Sequence, residues 1–205
     1  MRIIGGKSGG RILKVPKGFD VRPTPALVKQ AVFNSLGTRV EGAELLELFG
    51  GSGALSLEAL SRGAAQGVIV EKSSRTARMI RDNFLSLGLA PHQLDTRIQD
   101  AFTALAQFAA HGRKFDLIFA DPPYGEKNVG KRSQSFAQKL LDDANVPVVL
   151  KPEGLFILGH SKRDTLELPA GLEEMKLLKH GDSIMRFLRV KETNATGTES
   201  GGTTE

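Results

Sequence analysis

The residue types best suited to chemistry in this 205-residue chain stand together in one tetrapeptide, Asp121-Pro122-Pro123-Tyr124. It follows Phe115-Asp116-Leu117-Ile118-Phe119-Ala120, an apolar run that reads as a buried strand. Two adjacent prolines fix two φ angles and remove two backbone donors, which leaves a stiff turn that presents carbonyls and flanking side chains outward. That rigidity has a use in methylating a nucleobase amine, whose lone pair is delocalised into the ring and must be localised before it can attack. The Asp121 carboxylate and the Pro122 carbonyl can accept the two amine hydrogens, draw the nitrogen toward a tetrahedral shape and aim its lone pair at an electrophilic methyl. Asp121 need not be a strong base: it orients the amine, stabilises growing positive charge and can take the proton after transfer. Tyr124, the only tyrosine in the chain, can stack on a base extruded from its helix, a contact worth roughly 1 to 3 kcal/mol. The chain has no cysteine, so methylation of cytosine C5 through a covalent thiolate is excluded. The competing explanation of the tetrapeptide is a proline-stiffened loop after a buried strand.

A second constellation suits a nucleoside-containing cofactor. Glu47-Leu48-Phe49-Gly50-Gly51-Ser52-Gly53 falls where an apolar strand turns into a helix, so glycines let the backbone approach a ligand and the helix start offers free amide donors. Glu71 ends the next strand, Val68-Ile69-Val70, twenty residues after Gly51, where a carboxylate can accept from both ribose hydroxyls. Asp100 stands in the same relation to a third strand and can receive an adenine amino group, with Ala101 and Phe102 bordering the ring. Each acid can instead be a helix cap or a surface carboxylate. A dinucleotide meets these conditions too, but its usual third glycine is replaced here by Ser56.

These groups need a scaffold, and the chain supplies one by alternation. Leu45 to Phe49, Val68 to Val70, Leu117 to Ala120 and Leu155 to Leu158 read as strands. Ala54 to Ser61, Ser74 to Leu87, Ala101 to Ala110 and Ser135 to Ala144 read as helices, two of which stop at Gly63 and Gly88. Such alternation predicts an α/β fold with a parallel sheet covered on both faces. Leu172 to Leu178 and Ile184 to Val190 read as a closing pair of strands that gives an antiparallel edge. Ahead of the sheet, Arg2 to Ile4 and Arg11 to Val15 flank the glycine-rich turn 5–10 as a basic hairpin. A helix then begins at Thr24-Pro25, buries Leu27, Ala31 and Val32, and stops at Gly37. The expected organisation is a basic hairpin and helix over 1–40, the main domain over 41–190 and a disordered tail over 191–205.

Charge sharpens this division. The formal net charge is +5, but residues 1–40 hold eight Arg or Lys against one acid, and residues 41–205 hold 20 basic against 22 acidic side chains. A positive field confined to one end suits a polyanionic partner. No apolar run reaches the roughly 18 residues needed to span a bilayer, and residues 1–10 lack the apolar stretch of a signal peptide, so a cytoplasmic protein without a membrane partner is expected. His92, His111, His160 and His180 show no ligand spacing, and no catalytic metal is expected.

Taken with these motifs, the chain resembles the RsmD-type bacterial small-subunit ribosomal RNA (guanine-N2) methyltransferases over nearly all of residues 1–190. The resemblance rests on Met1-Arg2-Ile3-Ile4-Gly5-Gly6 with Gly10-Arg11, Arg22-Pro23-Thr24, Ala31-Val32-Phe33-Asn34-Ser35-Leu36, Gly51-Ser52-Gly53-Ala54-Leu55, Glu58-Ala59-Leu60-Ser61-Arg62-Gly63-Ala64, Val70-Glu71-Lys72, Asp121-Pro122-Pro123-Tyr124 and Gly181-Asp182-Ser183. It implies a seven-stranded, Rossmann-like fold that binds S-adenosylmethionine (SAM), with an added N-terminal hairpin. The implied reaction is methylation of guanine N2 in 16S ribosomal RNA within an assembling small subunit, by a monomer. It further implies that Arg22 and Thr24 border the methionine part of SAM and that Glu47, Phe49, Gly50, Gly51, Ser52, Gly53, Glu71, Lys72, Asp100 and Ala101 form the cofactor site. Arg2, Lys7 and Arg11 of the hairpin, and Lys127, Lys131 and Arg132 of the polar stretch after the tetrapeptide, are the RNA-facing candidates. The family usually has Asp and Ala where this chain has Glu47 and Gly50, so a contact from Glu47 to SAM reaches one methylene further. Adenine-N6 methylation of DNA or RNA uses the same tetrapeptide and remains an alternative, as does a non-catalytic RNA-binding assembly factor.

Overall fold

The computed structural model describes residues 1–15, 26–124 and 131–192. Arg22, Thr24, Pro25, Lys127 and most of the expected tail lie outside the described residues. One seven-stranded sheet organises the rest: β1 (Glu44–Leu48), β2 (Gln66–Glu71), β3 (Leu94–Ile98), β4 (Phe115–Ala120), β5 (Leu150–Ser161), β6 (Leu172–His180) and β7 (Ser183–Val190), in the order β3-β2-β1-β4-β5-β7-β6. Strands β1 to β5 pair in parallel, and β7 runs antiparallel to both β5 and β6. The antiparallel edge expected from the sequence is thus a hairpin whose second strand, β7, inserts between β5 and β6.

The connecting helices are α1 (Ala26–Leu36), α2 (Ala54–Ser61), α3 (Ser74–Ser86), α4 (Ala101–Ala110), α5 (Phe136–Asp142) and α6 (Asn145–Val148). They divide the core by face. Val32, Phe33, Leu57 and Phe84 from α1, α2 and α3 pack on Leu45, Phe119 and Ile157, while Leu105, Phe108, Leu140 and Val146 from α4, α5 and α6 pack on Leu46, Val68, Ile118 and Phe156. Alternate residues of each strand therefore serve opposite faces, which is why adjacent positions such as Leu45 and Leu46 in β1, or Leu117 to Ala120 in β4, are all apolar.

The N-terminal hairpin forms around an antiparallel bridge between Arg2 and Ile12 and lies across α2. Every residue of α2 is buried in consequence, Ser56 and Glu58 included. Glu58 and Lys29 are both fully buried, 2.8 Å apart. Glu58 also accepts from the backbone N–H groups of Ile4 and Gly5 and from Arg62. Burial opposes its ionisation, but the bonds from Lys29, Ile4 and Arg62 outweigh that and hold its pKa below the usual carboxylate value. Removing one partner of such a pair costs about 3 to 5 kcal/mol because the other charge is stranded. Gly6 comes so close to α2 that a Cβ there would lie 1.9 Å from the Ser61 carbonyl oxygen.

This pairing corrects one sequence expectation. Leu27 is 71% exposed and Ala31 half-buried; Val32 is buried as expected, joined by Val28, Lys29, Phe33 and Leu36. Periodicity cannot assign a lysine to the core, yet Lys29 is the residue that finds Glu58 and the Arg2 carbonyl, and the helix turns accordingly.

Candidate active site

A cleft of about 430 Å³ opens over the carboxyl ends of β1 to β4, lined by Phe49, Gly51, Val70, Glu71, Lys72, Gln99, Asp100, Ala101, the tetrapeptide 121–124 and Phe136. Its size and largely apolar wall suit a small organic ligand. Carboxyl strand ends are where ligands of open α/β sheets bind.

Its cofactor-like side combines links between neighbouring strand ends with local caps. Gly50 N–H donates to the Val70 carbonyl at 2.9 Å, and Gly51 N–H donates to Glu71 Oε2 at 3.0 Å, so the loop after β1 is tied to the end of β2. The other oxygen of Glu71 accepts from Ser73 N–H at 2.8 Å. A carboxylate has about four acceptor positions, so two backbone bonds leave capacity for hydroxyls. Asp100 caps α4 through Oδ1, which accepts from Phe102 and Thr103 N–H at 3.0 and 3.2 Å. Being a helix cap and lining the cleft are thus the same placement.

Phe49 sits at φ +57°, one of two non-glycine residues at positive φ among the described residues. An aromatic residue there is strained, and strain of this kind concentrates at ligand sites. Its ring is held by Phe102 and Phe136, with centroids 6.2 and 5.5 Å away. Phe136, at the start of α5, carries little signal in the sequence beyond being an aromatic residue beside a helix cap, and no motif points to it.

Other expected cofactor residues support the cleft from behind. Glu47 is only 5% exposed, and its Oε2 accepts from Ser56 N–H at 2.8 Å, locking the loop to α2. Burial pushes its pKa up to about 7; its bonds to Ser56 oppose the rise and the charge of Asp121 adds to it. Gly50, Ser52 and Gly53 likewise stand off the cleft wall. A Cβ at Gly50 would lie 2.4 Å from Ile69 Cγ2, so glycine is matched here to a bulky strand neighbour.

The tetrapeptide forms the other side. Pro122 is buried and Pro123 exposed, so the corner is anchored on one proline. The Asp121 side chain lies against the backbone of Gly159 in β5, where a Cβ would come within 2.3 Å of Oδ1. Tyr124 is 40% exposed, and its hydroxyl donates to Ser183 Oγ at 3.0 Å. The corner is thus seated on strands far away in sequence.

The basic residues separate. Arg2, Lys7, Arg11 and Lys131 are exposed. Arg132 is bonded to Asp142 at 2.6 Å and Glu167 at 3.0 Å, so its charge is satisfied within the protein. The hairpin spans the height of the helical layer. Lys7 N–H donates to Ser61 at the end of α2, whereas Asn83 Nδ2 donates to Lys14 and Ser52 carbonyls near the start of α2. Eight residues of α2 separate these levels by about 12 Å. Beside the hairpin, α3 exposes Arg75 and Arg78, and Lys72 lies at the cleft; none makes an ion pair among the described residues. These two arginines are not among the candidates drawn from the sequence, although i, i+3 spacing places them on one helix face.

A seven-stranded sheet of this order, with its cleft at the carboxyl ends of β1 to β4 and a prolyl corner after β4, is the Rossmann-like fold of methyltransferases. The chain belongs to the family described as Conserved hypothetical protein 95, whose model matches residues 1–189, and the RsmD-type resemblance is borne out. It is 33% identical over 179 residues to the ribosomal RNA small subunit methyltransferase D of Haemophilus influenzae, covering 87% of this chain and 86% of that one. It is 32% identical over 179 residues to a Bacillus subtilis protein provisionally named rRNA methyltransferase YlbH, covering 87% and 91%. Among solved structures it is similar to an Escherichia coli protein provisionally named methyltransferase yhhF, with a TM-score of 0.77 at 28% identity, covering 93% of this chain and 98% of that one.

Proposed function

We propose that this chain uses SAM to methylate the exocyclic N2 amine of a guanine in 16S ribosomal RNA. One observation carries the reading: the tetrapeptide 121–124 and the strand-end acids Glu71 and Asp100 line a single cleft. The kinship with ribosomal RNA methyltransferases supports the choice of substrate.

SAM fits the donor set. Glu71 would hold the ribose hydroxyls with its remaining acceptor capacity, and Asp100 the adenine amino group. The packed rings of Phe49 and Phe136 would lie against the adenine ring, Gly51 would admit it closely, and Arg22 and Thr24 would border the methionine end. When bound, SAM supplies an electrophilic methyl on a sulfonium. On the protein side, Asp121 and the Pro122 carbonyl accept the two amine hydrogens and so localise the nitrogen lone pair. As the nitrogen gains a fourth bond it becomes positive; Asp121 faces that charge and accepts the proton released. Tyr124 stacks on the base and keeps it out of its helix.

The RNA backbone follows the hairpin cations Arg2, Lys7 and Arg11 together with Lys72, Arg75 and Arg78. Lys131, and Lys127 from outside the described residues, would add RNA contacts from the polar stretch after the tetrapeptide. Arg132 drops out of this surface, since its charge is already met. The enzyme acts as a cytoplasmic monomer on an assembling small-subunit particle.

The test is incubation with methyl-labelled SAM of small-subunit particles from cells lacking the gene, followed by nucleoside analysis and mapping. Label in N2-methylguanosine at one position of 16S RNA is expected. Label in N6-methyladenosine, or none in either nucleoside, would contradict the assignment.

A further inference from the structure

The motif Gly181-Asp182-Ser183, distinctive in the sequence, has no part in the chemistry above. Gly181 at φ +59° starts the two-residue turn between β6 and β7, and Ser183 is the first residue of β7. The sheet holds Ser183 from both sides, opposite His180 of β6 and Ser161 of β5. Lys162 N–H donates to the Asp182 carbonyl at 2.8 Å, which docks the turn on the end of β5. Ser183 is only 7% exposed, and its Oγ stands 3.0 Å from the Tyr124 hydroxyl, 59 residues away in sequence.

A tyrosine 40% exposed beside an open cleft would sample several rotamers if its hydroxyl faced only water. A hydrogen bond to a fixed, buried acceptor selects one and sets the plane of the ring. We propose that Ser183 is a positioning residue that holds the Tyr124 ring as a preformed stacking platform for the target base. The proposal rests on the assignment of Tyr124 to base stacking. The reversed strand β7 thereby gains a part in the site, since it delivers a hydroxyl to the catalytic corner from beyond β5. The energy of one such bond, about 1 kcal/mol, corresponds to an effect of about fivefold on productive base binding.

The full chain contains one tyrosine and no tryptophan, so its intrinsic tyrosine fluorescence reports on this ring alone. In the ligand-free protein, Ser183→Ala should increase the amplitude of fast local motion in the time-resolved anisotropy of Tyr124, and Ser183→Thr should leave it as in the native chain. Kinetics at saturating SAM then test the consequence. Ser183→Ala and Tyr124→Phe should each raise the KM for RNA about fivefold with SAM affinity unchanged, and the double variant should be no worse than either single one. Tyr124→Phe breaks the same bond from an exposed side chain, so the test does not depend on the buried variant folding. Unchanged anisotropy in Ser183→Ala, or effects that multiply in the double variant, would overturn the proposal. If Tyr124→Ala impairs RNA binding while Ser183→Ala and Tyr124→Phe do not, this inference alone fails. If Tyr124→Ala leaves the KM for RNA unchanged, the stacking role and this inference fall together.

Discussion

The two walls of the cleft are held by different means. On the side of β2 and β3, the acids are tied mainly to backbone two or three residues further on, Glu71 to Ser73 and Asp100 to Phe102 and Thr103, with Gly51 of the adjacent loop as the one longer link. At the corner after β4, the supports come from far along the chain: Gly159 under Asp121 and Ser183 behind Tyr124. A surface for a cofactor can be made by local turns and caps. A corner that must aim an amine draws its rigidity from the assembled sheet. Disturbing the first wall should therefore weaken cofactor binding, and disturbing the second should slow transfer.

The largest effect separates the walls outright. Asp121→Ala should lower the rate of methyl transfer by about a thousandfold while SAM affinity, measured by calorimetry, stays within a few fold; retention of full activity would refute the role of the corner.

Glu47 connects the walls from beneath, and its titration tests that position. Its carboxyl has a pKa of about 7 in the folded chain against 4.5 as its ordinary value. Between those values the unfolded chain has released the proton and the folded chain retains it, so stability falls as pH rises through this window and levels off above it. Glu47→Gln removes the slope. Relative to the native chain it should gain up to about 3 kcal/mol on going from pH 5 to pH 8, read by denaturant unfolding at each pH. Parallel curves would mean that Glu47 is ionised and solvated.

A smaller effect isolates the seat of the corner. Gly159→Ala should push the Asp121 carboxylate aside and reduce kcat about tenfold with unchanged SAM affinity, because a displacement of about 1 Å is enough to spoil alignment. Loss of SAM affinity instead would show that the walls are not independent. The smallest expected change is at the periphery. Arg75→Glu with Arg78→Glu should raise the RNA concentration needed by a few fold and flatten the dependence of binding on salt by about two in the logarithmic slope. An unaltered slope would remove α3 from the RNA surface.

The same contrast explains what can be read from the chain. The tetrapeptide, the loop after β1 and the caps at Ser73, Asp100 and Ser135 are local patterns, and the spans of α2 and α4 follow from them to the residue. Where long-range contacts decide, the reading stops short. Lys29 is buried because Glu58, on another helix, accepts it, and no periodicity announces that; the expectation of a buried Leu27 fails for the same reason. Glu47, expected at the cofactor, is turned under the loop toward Ser56, a choice set by the start of α2. Asp142 and Glu167 take up Arg132 only once the chain has folded. Nothing in the sequence links Gly159 to Asp121 or Ser183 to Tyr124; the β4–β5 register seats the first pair, and the insertion of β7 beside β5 brings the second together.

The most direct test of the whole account is a crystal structure of the chain with S-adenosylhomocysteine, the product left when SAM has lost its methyl. The ribose should lie on Glu71, the adenine against the packed rings of Phe49 and Phe136 with its amino group at Asp100, and the sulfur should face Asp121 across a gap wide enough for an amine at about 3 Å. A ligand seated elsewhere, or a corner turned away from the sulfur, would contradict it.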